Sequence, residues 1–363
     1  KYQNRMGFEY NLRKDLAFSN GFPREEKTVG DLMKAQGYTT GIIGKWHMGL
    51  DTDYPTLSMH ALNRGFNECY KFMGRGGHDY FKLQGVKGTD YAPIYRNKTR
   101  LKSSDYSGYL TTRLTEEAVK FIDRQKQKPF FLYLAYNAVH SPLQGADTYM
   151  KKFAHIKNMH RRIFAAMLAN MDDSVGAVLQ QLRKSGQEEN TIVFFLSDNG
   201  GPTRELTSSN LPLRGSKGQM YEGAIRVPFM VQWKGRIPAG QIYDRPVSSF
   251  DIFGTAAAQC AGVSKPEQVE GVDLVPYLTG QRNGAPHESL FWRQGGKTAL
   301  RHGDWKLVRM GRRLTSVQAK WELYDLSKDI SETKNLAGTH PDRLAKLVRI
   351  WSQLNGEMSD PLF

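Results

Sequence analysis

Three short apolar runs constrain this chain most: TTGIIGKW at 39–46, PFFLYLA at 129–135 and TIVFFL at 191–196. Each is rich in β-branched or aromatic residues, has strand length, and is followed within a few positions by polar side chains. Between them the apolar residues recur with helical spacing. One helix is expected from about Thr28 to Ala35, closed by Gly37, and another from Gly108 to Arg124. A third is expected from about His160 to Ser185, with Ile163, Met167, Met171, Val175, Val178, Leu179 and Leu182 on one stripe and Gly186 as its stop. This alternation predicts an α/β fold with a largely parallel sheet between helices. The unbroken run Ile192 to Leu196 predicts a strand covered on both faces.

Open α/β sheets bind ligands beyond the carboxyl ends of their strands. Lys45 and His47 follow the first run, His140 the second, and Asp198 and Asn199 the third. Three strands thus deliver polar groups to one sheet edge.

The stretch from Asp51 to about Ser104 is rich in Gly, Tyr and Asn, has no sustained period and reads as long loops. After about Asp273 the pieces shorten. TALRHGDWKLVRM and WELYDLS read as antiparallel strands, and a last helix is expected from about Pro341 to Leu354. The division expected is a catalytic-type domain over 1–272 and a small α+β subdomain over 273–363.

The 363 residues suffice for such a pair, and their composition, 39% hydrophobic and 24% charged, is that of a folded chain. No run reaches the roughly 18 to 20 apolar residues of a membrane span. The net charge of +15 favours capture of polyanions such as nucleic acid or sulfated glycan, and equally suits a solubilising surface. No nucleic-acid-binding motif accompanies that charge. Cys69 and Cys260 make no metal or redox spacing and read as buried structural thiols.

Asp198 and Asn199 offer a carboxylate and an amide oxygen, a hard-ligand pair suited to Ca²⁺ or Mg²⁺, although Asp-Asn-Gly also forms ordinary turns. Lys45 and His47 alternate by two and would share one side of an extended strand, as an anion site or as a solvated strand end. His140, between a buried strand and a proline turn, could protonate a leaving group or merely cap the turn. Lys217 and Arg214 lie in the glycine-rich LRGSKGQMYEGAIRVPF, whose glycines suit either an anion cradle or a tight turn.

Taken together, GKWHMG, AVHSPLQ, LSDNGG and LRGSKGQMYEGAIRVPFMVQWKGRIPAG, in this order, resemble the formylglycine-dependent sulfatases of the alkaline phosphatase superfamily. RHGDWKLVR and ELYDLSKDISETKNLA resemble that family's C-terminal subdomain, and GRGGHDYF is similar to polysaccharide-acting bacterial members. The resemblance implies an alkaline-phosphatase-like sheet and a sulfuric ester hydrolase. It implies that Asp198 and Asn199 ligate Ca²⁺, with Mg²⁺ the second choice. Lys45, His140 and Lys217 would hold sulfate oxygens, His47 would orient the nucleophile, and His140 would serve the departing sugar oxygen. His78 and Asp79, with Arg214, would line the glycan pocket, or the first two would form an exposed polar loop. It also implies a sulfated carbohydrate partner and a periplasmic or secreted location.

The family's Cys/Ser-x-Pro/Ala-x-Arg nucleophile motif, converted to formylglycine, does not occur in this sequence. The expectation is therefore a chain starting downstream of that motif, inactive alone. A phosphoester or phosphonate hydrolase of the same superfamily is the second enzymatic reading, since both groups are tetrahedral oxyanions. A sulfated-glycan-binding relic is the non-enzymatic one. The sequence is silent on oligomeric state.

Overall fold

Thr28 caps the first helix, α1 (Val29–Ala35): its hydroxyl accepts from the Asp31 amide while the Asp31 carboxylate accepts from the Thr28 amide. This reciprocal box, worth about 1 kcal/mol, fixes the chain just ahead of β1 (Thr39–Trp46). The computed structural model describes residues 1–10, 21–48, 59–73, 77–83, 93–263, 269–311 and 319–362.

The main sheet of the described residues has five strands. β2 (Glu68–Met73), β3 (Ile94–Arg96), β4 (Thr99–Arg100) and β5 (Phe130–Ala135) join β1 in the order β4-β3-β2-β1-β5. β1 runs parallel to β2 and β5, whereas β3 and β4 return antiparallel. The α/β expectation stands, with a sheet that is parallel at its centre and antiparallel at one edge. The Asp51–Ser104 region is not all loop: it contains β2 to β4, while 51–58, 74–76 and 84–92 lie outside the described residues. β2 escaped a hydrophobic pattern because Lys71 in its middle is fully buried, its ammonium 5.1 Å from the Tyr95 ring centre.

One face of this sheet is covered by α2 (Leu110–Arg124) and α4 (Met159–Lys184), the latter preceded by α3 (Asp147–Lys152). Leu110, Leu114, Ala118, Phe121 and Ile122 of α2 meet Ile43, Tyr70 and Phe72 from the strands and Met167 and Leu182 from α4. These follow the i, i+4 spacing of a single helical stripe. On the other face Ile42, Trp46 and Cys69 pack with Phe66.

β6 (Val193–Leu196) departs from expectation. It pairs antiparallel with β7 (Phe229–Gln232) in a two-stranded ribbon, and its residues are only half-buried. The reason is visible in its neighbours: Val193 joins the α2–α4 core, but no described strand pairs with the far edge of β6 or with β5 beyond β1. Tyr133 on β5 accordingly stays 48% exposed.

Short helices α5 (Thr203–Leu206) and α6 (Glu222–Ile225) flank the glycine-rich loop, and α7 (Asp251–Ala261) and α8 (Val275–Leu278) follow β7. The C-terminal part is an antiparallel sheet of β8 (Ser289–Gln294), β9 (Lys297–His302), β10 (Trp305–Met310) and β11 (Trp321–Asp325), as expected. Helix α9 (Pro341–Gly356) seals it with Leu347 and Trp351 against Phe291, Leu300, Leu307 and Leu323. The first residues of the chain pack here too. Tyr2 stacks edge-on against Phe291, and buried Glu9 pairs with buried Arg293.

Candidate active site

Lys45 owes its position to the residue before it. Gly44 has φ of 107°, and a Cβ there would lie 2.0 Å from the Ala135 carbonyl oxygen on β5. Only glycine fits that twist and that approach. β1 thereby swings as it ends, and Lys45 and His47 follow at its carboxyl edge, both half-buried.

After β5 the chain turns at 137–140, with the His140 amide donating to the Asn137 carbonyl at 2.7 Å. The Tyr80 hydroxyl lies 3.0 Å from the carbonyl oxygens of both Asn137 and His140. Gly77 presses on the same turn so tightly that a Cβ would sit 1.7 Å from the Ser141 oxygen. His140 Nδ1 is 2.9 Å from the Ser141 carbonyl, which can only accept, so Nδ1 carries the proton. Nε2 is therefore the atom left for proton exchange.

Asp198 and Asn199 leave β6 on LSDNGG, and this segment is sewn to the glycine-rich loop. The Gly200 amide donates to the Ala224 carbonyl at 2.9 Å, and a Cβ on Gly200 would meet the Gly223 oxygen at 1.8 Å. Asn210 joins the two segments further: its Nδ2 donates to the carbonyls of Gly201 at 2.9 Å and Gly215 at 3.0 Å. Lys217 stands exposed on the loop so held.

Asp198 and Lys217 act on both Lys45 and His140. Burial pushes the Lys45 ammonium below its ordinary range, Asp198 pulls it back, and Lys217 lowers it further. Burial lowers the His140 imidazole most; the hydrogen bond to Ser141 opposes this, the Lys217 and Lys45 cations add to the lowering, and Asp198 opposes it again. Two cations, an imidazole held neutral near neutral pH, and Asp198 are thus brought within electrostatic reach of one another from β1, the turn after β5, the glycine-rich loop and the ribbon strand β6. That is a setting for a tetrahedral anion, with cations placed where its oxygens would lie. Asp198, exposed, and Asn199 beside it supply two hard oxygens, a fraction of the 6–8 that Ca²⁺ takes. Among the described residues no group of three or more His, Cys, Asp or Glu stands ready to hold a metal.

The residues expected to line a glycan pocket are His78, Asp79 and Arg214. His78 has no exposed surface; its ring lies 5.1 Å from that of Phe72. The Asp79 carboxylate accepts the amides of Phe81 and Lys82 at 2.8 Å each and the Gln144 amide at 3.0 Å, so it holds a turn. His78 is fully buried, and Asp79 is tied through Gln144 to the segment that follows the His140 turn. Arg214 faces the C-terminal sheet, donating to the Tyr324 hydroxyl and the Glu332 carbonyl, each at 2.9 Å. His78 is thus buried, Asp79 half-buried with its carboxylate engaged, and Arg214 exposed with its guanidinium engaged by the C-terminal sheet.

A sulfatase family model matches residues 1–263. The chain belongs to the sulfatase family. A model for the C-terminal part of N-sulphoglucosamine sulphohydrolase matches residues 216–359, overlapping the first across the Lys217 loop. Among curated sulfatases, YdeN of Escherichia coli K12, itself uncharacterized, is 34% identical over 289 residues, 75% of this chain and 50% of YdeN. Arylsulfatase J of Mus musculus is 29% identical over 98% of this chain and 66% of its own length. The chain thus spans about half to two thirds of these relatives. The crystal structure of Ps i-CgsB in complex with k-i-k-neocarrahexaose matches all of this chain and 81% of its own, with TM-score 0.87 and 33% identity. The PsFucS1 sulfatase from Pseudoalteromonas sp., at 23% identity and TM-score 0.79, shares the fold.

Sequence reasoning missed Asn210, which ties this sulfatase-family chain's Asp198 segment to its Lys217 loop, and Gln144, which braces Asp79 and Tyr80. An Asn two residues before a proline and a Gln after Ser-Pro-Leu carry no periodic signal. Only their partners reveal them.

Proposed function

We propose that this chain is the larger part of a sulfatase that removes sulfate esters from a carbohydrate and releases inorganic sulfate. The observation that carries the reading is the electrostatic influence that Asp198 and Lys217 exert on both Lys45 and His140, which brings together the ends of β1, β5 and β6 and the glycine-rich loop. Family membership supports the reaction class. The relative that binds k-i-k-neocarrahexaose supports a sulfated carbohydrate as substrate.

In this reading Lys45 and Lys217 hold the sulfate oxygens and offset charge building there as the S–O bond breaks. His140 gives a proton from Nε2 to the departing sugar oxygen, its imidazole recharged by the bound anion. His47 orients the nucleophile. Asp198 and Asn199 would hold Ca²⁺, whose chemistry there is to polarise the sulfate, and the rest of its shell would come from other oxygen donors.

The 363 residues by themselves turn over no substrate. They contain no Cys/Ser-x-Pro/Ala-x-Arg motif for formylglycine, and Asp198 and Asn199 make only part of a metal shell. The protein acts outside the cytoplasm, where sulfated polysaccharide is met; no described helix is long and apolar enough to cross a membrane.

The test is sulfate release by the natural protein from sulfated oligosaccharides, with and without calcium chelation, beside the same assay on the 363-residue chain. Calcium-dependent release by the former and none by the latter upholds the reading. Saturable glycan binding without release, from a natural protein that carries the modified nucleophile, replaces it with the glycan-binding relic.

A further inference from the structure

The loop bearing Lys217 is held on both sides by the C-terminal sheet. Before Lys217, Arg214 donates to the Tyr324 hydroxyl and the Glu332 carbonyl, with its guanidinium 3.9 Å from the Tyr221 ring centre. After it, the Lys297 ammonium on β9 donates to the Gly218 carbonyl at 2.6 Å. The Tyr221 hydroxyl then donates to the Glu322 carboxylate on β11, 2.9 Å from one oxygen. Met220 and Tyr221 also join an apolar cluster with Ala299, Val308 and Tyr324 of that sheet.

The anchor of this arrangement is a buried charge cluster. Lys306 on β10 has no exposed surface, and its ammonium lies 2.8 Å from carboxylates of both Glu222 and Glu332, themselves 2% and 0% exposed. The second Glu332 oxygen accepts the Glu222 amide at 2.6 Å. Removing one member of such a cluster strands a buried charge, so the cluster resists rearrangement piece by piece. Glu222 is five residues from Lys217, and the arrangement propagates to the exposed ammonium through a tight loop in which the Gly223 amide returns to the Arg214 carbonyl at 2.7 Å. Lys217 itself needs placing from outside, because a four-carbon side chain on an exposed loop has no fixed position of its own.

We propose that the C-terminal sheet sets the position of Lys217, with Lys297 and Lys306 as positioning residues. The small subdomain is then part of the anion-holding device. This rests on the reading of Lys217 as a sulfate-holding group.

Lys297 is the residue to replace, since it lies at the surface and its loss leaves the core intact. In the natural protein, Lys297→Ala is expected to speed amide hydrogen exchange across 214–221 about tenfold while exchange in α2 and α4 stays as it was. It is expected to lower kcat/KM for sulfate release about tenfold, but less than twofold in a Lys217→Ala background, because its effect passes through Lys217. Lys297→Arg, which keeps a donor for Gly218, is expected to recover most of the rate. Equal losses in both backgrounds, or unchanged exchange across 214–221, overturns the proposal. If the natural protein releases no sulfate, the proposed function fails, and the exchange data with the affinity for inorganic sulfate still decide whether Lys297 places the loop.

Discussion

Asn210 and Gly201 exchange two hydrogen bonds, the Gly201 amide donating to Asn210 Oδ1 at 3.0 Å and Asn210 Nδ2 donating back to the Gly201 carbonyl at 2.9 Å. A side-chain amide here imitates a neighbouring strand. It fixes the metal-type segment against the loop of Lys217, which neither segment achieves by its own local structure.

Asn210→Ala is expected to destabilise the fold by about 2 kcal/mol, since three hydrogen bonds are lost and half-buried carbonyls of Gly201 and Gly215 are left without this partner. Affinity for inorganic sulfate should fall several-fold. Urea unfolding and calorimetric titration measure the two effects; wild-type affinity in this variant would show that the tie does not shape the site.

Gly44→Ala is expected to cost about 3 kcal/mol or more. The added methyl lands 2.0 Å from a backbone oxygen of a neighbouring strand, which cannot move without breaking the β1–β5 ladder, and φ of 107° is strained for alanine. A thermal melt within a degree or two of wild type would show that the strand pair yields more easily than this.

Sulfate should bind more tightly as pH falls. The His140 pKa is lowered by burial and then, against the Ser141 hydrogen bond, by Lys217 and Lys45, so the free site holds a neutral imidazole at pH 7. A bound anion favours the protonated form, and the complex therefore takes up a proton that the free protein lacks. Titrations between pH 5 and 8 should show rising affinity toward acid in the wild type and a flatter profile in His140→Gln.

Acid should also unfold the protein through His60, which has no exposed surface and whose pKa is lowered to about 3 by burial and by the Lys71 cation. The folded pKa lies below the unfolded one. The stabilisation is therefore complete above about pH 6.5 and is lost as pH falls toward 3. At about 1.4 kcal/mol per pH unit the loss reaches a few kcal/mol. Urea midpoints measured from pH 7 to 4 should drop less steeply in His60→Asn, which can still cap the Leu62 amide.

The sequence by itself determined most of the regular elements and that polar groups follow β1, β5 and β6 directly. β1 spans 39–46 as its β-branched run required, and α2 and α4 begin and end within two residues of the bounds their apolar spacing predicts. Strand composition, helical period and capping are interactions between residues a few positions apart, so they can be read in order along the chain. Tertiary structure alone decided what lies between distant residues. The Lys306–Glu222 pair is 84 residues apart, and the hydrogen bond turning Arg214 toward Tyr324 spans 110. It decided too that Lys71 and His78 are buried and that β6 pairs with β7 rather than continuing the parallel sheet. A Lys or an Arg reads the same in a sequence whether solvated or sealed. Which it becomes depends on desolvation and on partners that only the folded chain brings within reach.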